Sequence, residues 1–101
     1  MAGILIQYTY TGDEAAWEAA VDAFVSGIQN DAEVRDGFSY VVTRQGDEGK
    51  RIHMGRWQDE DVLKLMQSRD YFSAFAGFLR EHSNGTLTSQ RLETVAGTRE
   101  L

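Results

Sequence analysis

Cysteine and proline are both absent from this chain of 101 residues. Without cysteine there is no disulfide, no thiolate metal ligand and no cysteine nucleophile, a pattern that suits a reducing compartment. Without proline, the loops must be shaped by glycine and polar caps. Cations are scarce too: ten Lys and Arg stand against sixteen Asp and Glu, a formal charge of −6. Such a surface repels phosphate backbones, and the adjacent pair Lys50-Arg51 lies just behind Asp47 and Glu48, so no nucleic-acid partner is expected. No apolar run reaches the length of a signal core or a membrane span. The expectation is therefore a soluble, cytoplasmic protein with no membrane partner.

What is present reads as a single domain over residues 1–101, with an apolar share of 42% and room for one modest core. Ile4 to Tyr10 is β-branched and aromatic and predicts strand one. Ile4, Ile6, Tyr8 and Tyr10 point one way, and Leu5, Gln7 and Thr9 the other. Thr11-Gly12-Asp13-Glu14 has capping-box spacing with Thr11 as N-cap. From Glu14 to Asn30, Trp17, Ala20, Val21, Phe24, Val25 and Ile28 form one helical stripe, with Trp17 as a core residue. Asp36-Gly37 closes a polar connection to strand two, Phe38 to Arg44. Gln45 to Gly49 supplies a hairpin loop, and strand three runs from Arg51 to Trp57.

Acids gather at Gln58 to Asp61, where a helix dipole favours them. The apolar pattern of Val62, Leu65 and Met66 breaks at Ser68-Arg69-Asp70, where Ser68 can cap a fresh turn, and resumes with Phe72, Phe75, Ala76 and Leu79. That predicts two short helices or one bent one. Gly85 suits the left-handed end, Leu87 to Val95 is the candidate for strand four, and residues 96–101 read as a loose tail. The order is β-α-β-β-α-β, an α+β, ferredoxin-like arrangement: a four-stranded antiparallel sheet with helices on one face. Strand one is apolar on both faces, so the open face needs cover, and a homodimer packed sheet to sheet is expected.

On strand three, His53, Gly55 and Trp57 share a face. They either frame a cavity, with Gly55 giving the room, or form a core in which the glycine accommodates the indole. His53, with an ordinary pKa of about 6.5, could serve as a base toward a phenol or simply bond a neighbour. His82 falls near the last helical turn, as a surface residue complementing the dipole. Arg56 points to the other face, where an acid or the neighbourhood of Arg91 and Glu93 could receive it. The two histidines have no HxH or HExxH spacing, so no metal site is expected, and there is no GxSxG elbow, phosphate loop or dinucleotide fingerprint.

Three motifs carry a family resemblance: Gly37-Phe38-Ser39-Tyr40, Gly55-Arg56-Trp57, and Ser68-Arg69-Asp70-Tyr71-Phe72 with Phe75 behind it. In order and spacing over nearly the whole chain, the sequence resembles the dimeric α/β-barrel proteins of the antibiotic-biosynthesis-monooxygenase type. The resemblance implies a ferredoxin-like subunit that dimerises through its sheet into a barrel, with a pocket between sheet and helices lined by the tryptophan. It implies an oxygenase working without cofactor on an aromatic or quinol-like small molecule; in such a pocket the candidate catalytic residues of this chain are His53 and Trp57, and the candidates for lining the substrate site are Gln7, Gly55, Met66, Tyr71 and Phe75. The alternatives within such a family are a non-catalytic dimeric ligand-binding module and a haem-binding or haem-degrading protein. Where many relatives carry a histidine before the helix break, this chain has Met66. Where haem-degrading relatives bind iron, it has Phe75, Ala76 and Gly77.

Overall fold

The computed structural model describes residues 1–98. The expected tail therefore lies partly outside the described residues, and residues 94–98 belong to no helix or strand. The elements run β1 (Ala2–Thr9), α1 (Glu14–Gln29), β2 (Phe38–Gln45), β3 (Lys50–Trp57), α2 (Glu60–Gln67), α3 (Asp70–His82) and β4 (Thr88–Glu93). They build one four-stranded sheet in the order β2-β3-β1-β4, every neighbouring pair antiparallel. The helical stretch after β3 is two helices, broken where the apolar pattern lapses at Ser68 and Arg69.

The helix ends differ from the expected caps in two places. Asp13, not Thr11, caps α1, its carboxylate accepting from the Ala16 amide at 2.9 Å. The Thr-x-x-Glu spacing is present, but Glu14 is turned instead to Arg44 and Arg51, and the Thr11 hydroxyl accepts from Asn84. Likewise Ser68 closes α2 rather than opening α3: its hydroxyl donates to the Leu65 carbonyl at 2.6 Å. The N-cap of α3 is Arg69, whose side chain makes no cap bond and reaches Asp31 and Glu33 instead.

Register decides which face of β1 meets the helices. Ile4 sits opposite Gly55 and Ile6 opposite His53, and Tyr8 and Tyr10 are 3% and 4% exposed within the core. Ile4, Ile6, Tyr8 and Tyr10 are thus the inner face. The core gathers Trp17, Phe24 and Ile28 of α1, Leu63 and Met66 of α2, and Phe75 and Leu79 of α3 on that face. Each large apolar side chain buried there contributes roughly 1.5–3 kcal/mol. The outer face carries Leu5, Met54 and Val41 in one cross-strand row, and Val41, Met54 and Leu92 remain exposed.

The hairpin between β2 and β3 needs glycine at one point. Gly49 has φ +84°, and its carbonyl accepts from the Tyr10 amide at 2.8 Å. A Cβ there would collide with the Tyr10 carbonyl, so this close approach of two backbones admits no side chain.

Candidate functional site

The inner face of the sheet is arranged in rows. Tyr40, Gly55, Ile4 and Arg91 are cross-strand partners in one row, and Val42, His53, Ile6 and Ser89 form the next. Phe38 and Trp57 face each other at the end of β2 and β3, their rings parallel at 6.0 Å. Above these rows α2 and α3 do not close fully on the sheet. Between them lies a cavity of about 500 Å³, lined by Tyr40, Trp57, Met66, Phe72, Phe75 and Ala76 among others, with Arg80, Ser83, Ser89 and Arg91 as further polar members of its wall. That volume holds a small organic molecule, and a mostly apolar wall with a few polar groups is the usual character of such sites.

Behind one wall of the cavity runs a chain of hydrogen bonds through the core. The Trp17 indole N–H donates to the Tyr8 hydroxyl oxygen at 2.8 Å. The Tyr8 hydroxyl lies 2.9 Å from His53 Nε2, and the Tyr40 hydroxyl lies 2.9 Å from His53 Nδ1. His53 has no exposed surface, and its ring lies parallel to Phe75 at 5.7 Å. Burial, helped by the positive charge of Arg51, holds its pKa down at about 4, so the imidazole is neutral at neutral pH. Burial pushes Tyr40 far above the ordinary tyrosine range and raises Tyr8 too, against the Trp17 bond and Arg51. All members of the chain are therefore uncharged.

Trp57 is 2% exposed, and its Nε1 has no hydrogen-bond partner among the described residues. Packing holds it: Phe38 stacks on the ring, and the Arg91 guanidinium lies 4.9 Å from the ring centroid, a favourable cation–π geometry. Arg91 also pairs with Glu60 at 3.5 Å. Its place corrects an expectation. Because Arg91 is the β4 partner of Ile4, it and Glu93 stand on the inner face, opposite to Arg56, whose guanidinium reaches the Met1 sulfur.

The expected site residues divide. Trp57, Met66 and Phe75 come together as cavity wall. Gly55 lies under the Tyr40 ring, where a Cβ would stand only 3.1 Å from Tyr40 Cδ1, so its missing side chain seats Tyr40. His53 does not reach the cavity: Tyr40 lines the wall in front of it. Gln7 is on the outer face, opposite Ile52, away from the other candidates. Tyr71 is also elsewhere. Its ring lies against Gly27 of α1 and its hydroxyl donates to Asp31 at 2.8 Å, with burial and that carboxylate pushing its pKa up to about 12.

Sequence reasoning missed Tyr40, Tyr8 and Arg91, and it took Trp17 for plain core. The available signal was weak: two tyrosines and a tryptophan on inward-facing positions, each carrying a polar atom that must be satisfied when buried. Neither histidine lines the cavity, since His53 is screened and His82 is exposed against Phe78. The wall therefore offers haem no imidazole ligand among the described residues. Nor do these residues contain a group of three metal-ligating side chains.

No family model matches the sequence, and no curated protein is similar to it in sequence. Solved structures are similar in fold. Rv0793 from Mycobacterium tuberculosis superposes with a TM-score of 0.78 over 97% of this chain and 98% of that one, at 17% identity. SnoaB from Streptomyces nogalater, described as a cofactor-independent oxygenase, gives 0.76 over 98% and 97%, also at 17% identity. A protein described as an antibiotic biosynthesis monooxygenase gives 0.69 over 95% of this chain and all of that one, at 15% identity. The chain thus has the ferredoxin-like α+β fold of the antibiotic-biosynthesis-monooxygenase structures, as its three sequence motifs imply.

Proposed function

We propose that this protein is a cofactor-independent monooxygenase acting on an aromatic or quinol-like small molecule. The observation that carries the reading is the cavity of about 500 Å³ between the sheet and α2–α3, walled by Trp57, Phe72 and Phe75, with Tyr40 in its lining. Flat aromatic walls suit a flat aromatic ligand. SnoaB, of the same fold and described as a cofactor-independent oxygenase, adds support.

The chemistry asks for an electron-rich anion held beside dioxygen in a site with little water. Taking an anthrone-type substrate, its enol gives up a proton to solvent water at the cavity mouth and becomes an anion. This anion passes one electron to dioxygen, and the resulting carbon radical and superoxide join in a C–O bond. Protonation of the peroxide, loss of the remaining hydrogen on that carbon and cleavage of O–O release water and leave a ketone. One dioxygen thus converts CH₂ to C=O plus one water. Tyr40 stabilises the anion by hydrogen-bonding its oxygen, Trp57 fixes the ring plane, and Arg91 on Trp57 adds positive charge at the wall. His53 is a positioning residue for Tyr40, not a base in contact with substrate.

Oxygen uptake with a panel of anthrone-type phenols tests the proposal. Wild type is expected to consume one dioxygen per quinone formed, with the rate lowered about tenfold or more in Tyr40→Phe and Trp57→Phe. Rates equal to buffer across the panel sink it. A second reading, ligand binding without turnover, is favoured by one observation: both ring nitrogens of His53 are engaged by tyrosine hydroxyls, which leaves it no free base.

The same reading includes a partner. The outer face of the sheet presents Val41, Met54 and Leu92, each about two-fifths exposed, beside Leu5 and Ile52, and a second copy of the chain is proposed to cover it. Light scattering at micromolar concentration is expected to give a dimer, and a stable monomer removes this part of the proposal.

A further inference from the structure

We infer that Tyr8 decides what kind of ligand atom the cavity accepts: through His53 it holds Tyr40 as a hydrogen-bond donor, so the site takes molecules that present an acceptor oxygen there, such as a ketone, quinone or phenolate. The ligand class rests on reading the cavity as the binding site, whereas the role of Tyr8 stands on the chain of bonds itself.

The polarity follows from counting protons. An indole nitrogen can only donate, so the Tyr8 oxygen must accept from Trp17. Tyr8 has a single proton and one further partner, His53 Nε2. If Nε2 also carried a hydrogen, the Tyr8 proton would be left buried with nothing to receive it, which folded proteins avoid. Tyr8 therefore donates to Nε2, and the single proton of neutral imidazole sits on Nδ1. That N–H donates to the Tyr40 oxygen at 2.9 Å. The Tyr40 proton is then the one proton of the chain with no partner among the described residues. Tyr40 lines the cavity, so a ligand acceptor is what completes the series. Reversing any bond reverses all of those beyond it, which is why a tyrosine on the far side of His53 governs the cavity; Trp17 donates to its oxygen and offers its proton no other acceptor.

Tyr8 is thus a positioning residue, and its role has a readout that simple core packing would not move. Protein labelled with ¹⁵N-histidine, observed in long-range ¹H–¹⁵N spectra at neutral pH, reports which ring nitrogen of His53 is protonated. Exposed His82 is identified by the signals missing from a His82→Gln spectrum. Wild type is expected to show His53 as one tautomer, protonated on Nδ1. In Tyr8→Phe nothing donates to Nε2, and an Nε2-protonated population is expected to appear beside the wild-type tautomer. Trp17→Phe leaves the Tyr8 proton with the same single acceptor and is expected to keep the wild-type tautomer. A wild-type His53 protonated on Nε2 overturns the inference, and so does an unchanged tautomer in folded Tyr8→Phe. If that variant does not fold, the wild-type tautomer alone makes the test.

The ligand class is read separately by calorimetry with anthrone and with 9,10-dihydroanthracene, which has the same ring frame and no oxygen. Anthrone is expected to bind wild type roughly fivefold tighter or better, and Tyr40→Phe is expected to lose the preference. Equal binding of the two by wild type overturns the acceptor assignment. A preference for the ketone without any oxygen uptake supports the inference while removing the oxygenase reading.

Discussion

Around α1 the inner side of the sheet is filled, whereas beneath α2 and α3 it is hollow. The filled region holds Trp17, Ile28 and the His53 chain, all at 5% exposure or less except Tyr40, whose ring crosses to the other side. The hollow region has equally large side chains, Trp57, Met66 and Phe75, but they wall a space instead of occupying it. The two regions use polar atoms differently as well. In the filled one each ring nitrogen and hydroxyl is bonded to the next, from Trp17 to Tyr40. In the hollow one the polar groups, Arg80, Ser83, Ser89 and Arg91, belong to the cavity wall. The difference teaches that the filled half orients one hydroxyl and the open half leaves room for what that hydroxyl meets.

The sharpest test of the contrast is a matched pair of truncations. Ile28 and Leu63 are both 5% exposed, but only Leu63 lines the cavity. Ile28→Ala is expected to cost about 4 kcal/mol, because it opens a new void among packed neighbours. Leu63→Ala should cost about 2 kcal/mol, since one side of its side chain already lacks partner atoms. Urea unfolding measures both, and equal losses would erase the distinction.

Acid separates the regions next. His53 has its folded pKa held at about 4 by burial and by Arg51, against about 6.5 in the unfolded chain. Between those values the unfolded state binds the extra proton, so stability is full above about pH 6.5 and falls as pH drops toward 4. The loss should be on the order of 3 kcal/mol. Asp31 acts lower. Burial alone would raise its pKa, but hydrogen bonds from Arg69 and Tyr71 bring it below the usual carboxylate value. Its contribution is present above that usual value and is lost only as pH falls further. Denaturation curves from pH 7 to 4 are expected to show the slope in wild type and a flatter profile in His53→Gln.

A smaller effect tests how the filled half is anchored. Asp13→Ala should cost about 1 kcal/mol through loss of the α1 cap, and Thr11→Ala less, as read from thermal melting. The reverse order would restore the capping box expected from spacing.

The sequence was informative where local rules suffice. β-branched and aromatic content placed the first strand, helical stripes placed the helices, and the lapse at Ser68-Arg69 announced the break between α2 and α3. It misled where two local rules compete, as at Thr11 and Asp13, both good caps within one turn. It was silent where long-range register decides. Nothing in the poorly alternating stretch around Arg91 shows that it pairs with Ile4 and so faces Trp57. The His53 chain joins positions 8, 17, 40 and 53 on four elements, and only the assembled sheet brings them together. Trp57 was reachable because strand period and family motif agree there, and Met66 and Phe75 because they lie on the apolar helical stripe. Gln7 was not, since one strand alone does not reveal which of its faces turns inward.

The hollow itself is the central claim, and Ala76→Phe tests it most directly. Ala76 on α3 lines the cavity, so the added ring has space to enter it. Anthrone binding followed by calorimetry, with a thermal melt of the same sample, gives the answer. The account predicts that the variant melts no lower than wild type and has lost the ligand. A variant that binds anthrone as wild type does would contradict it.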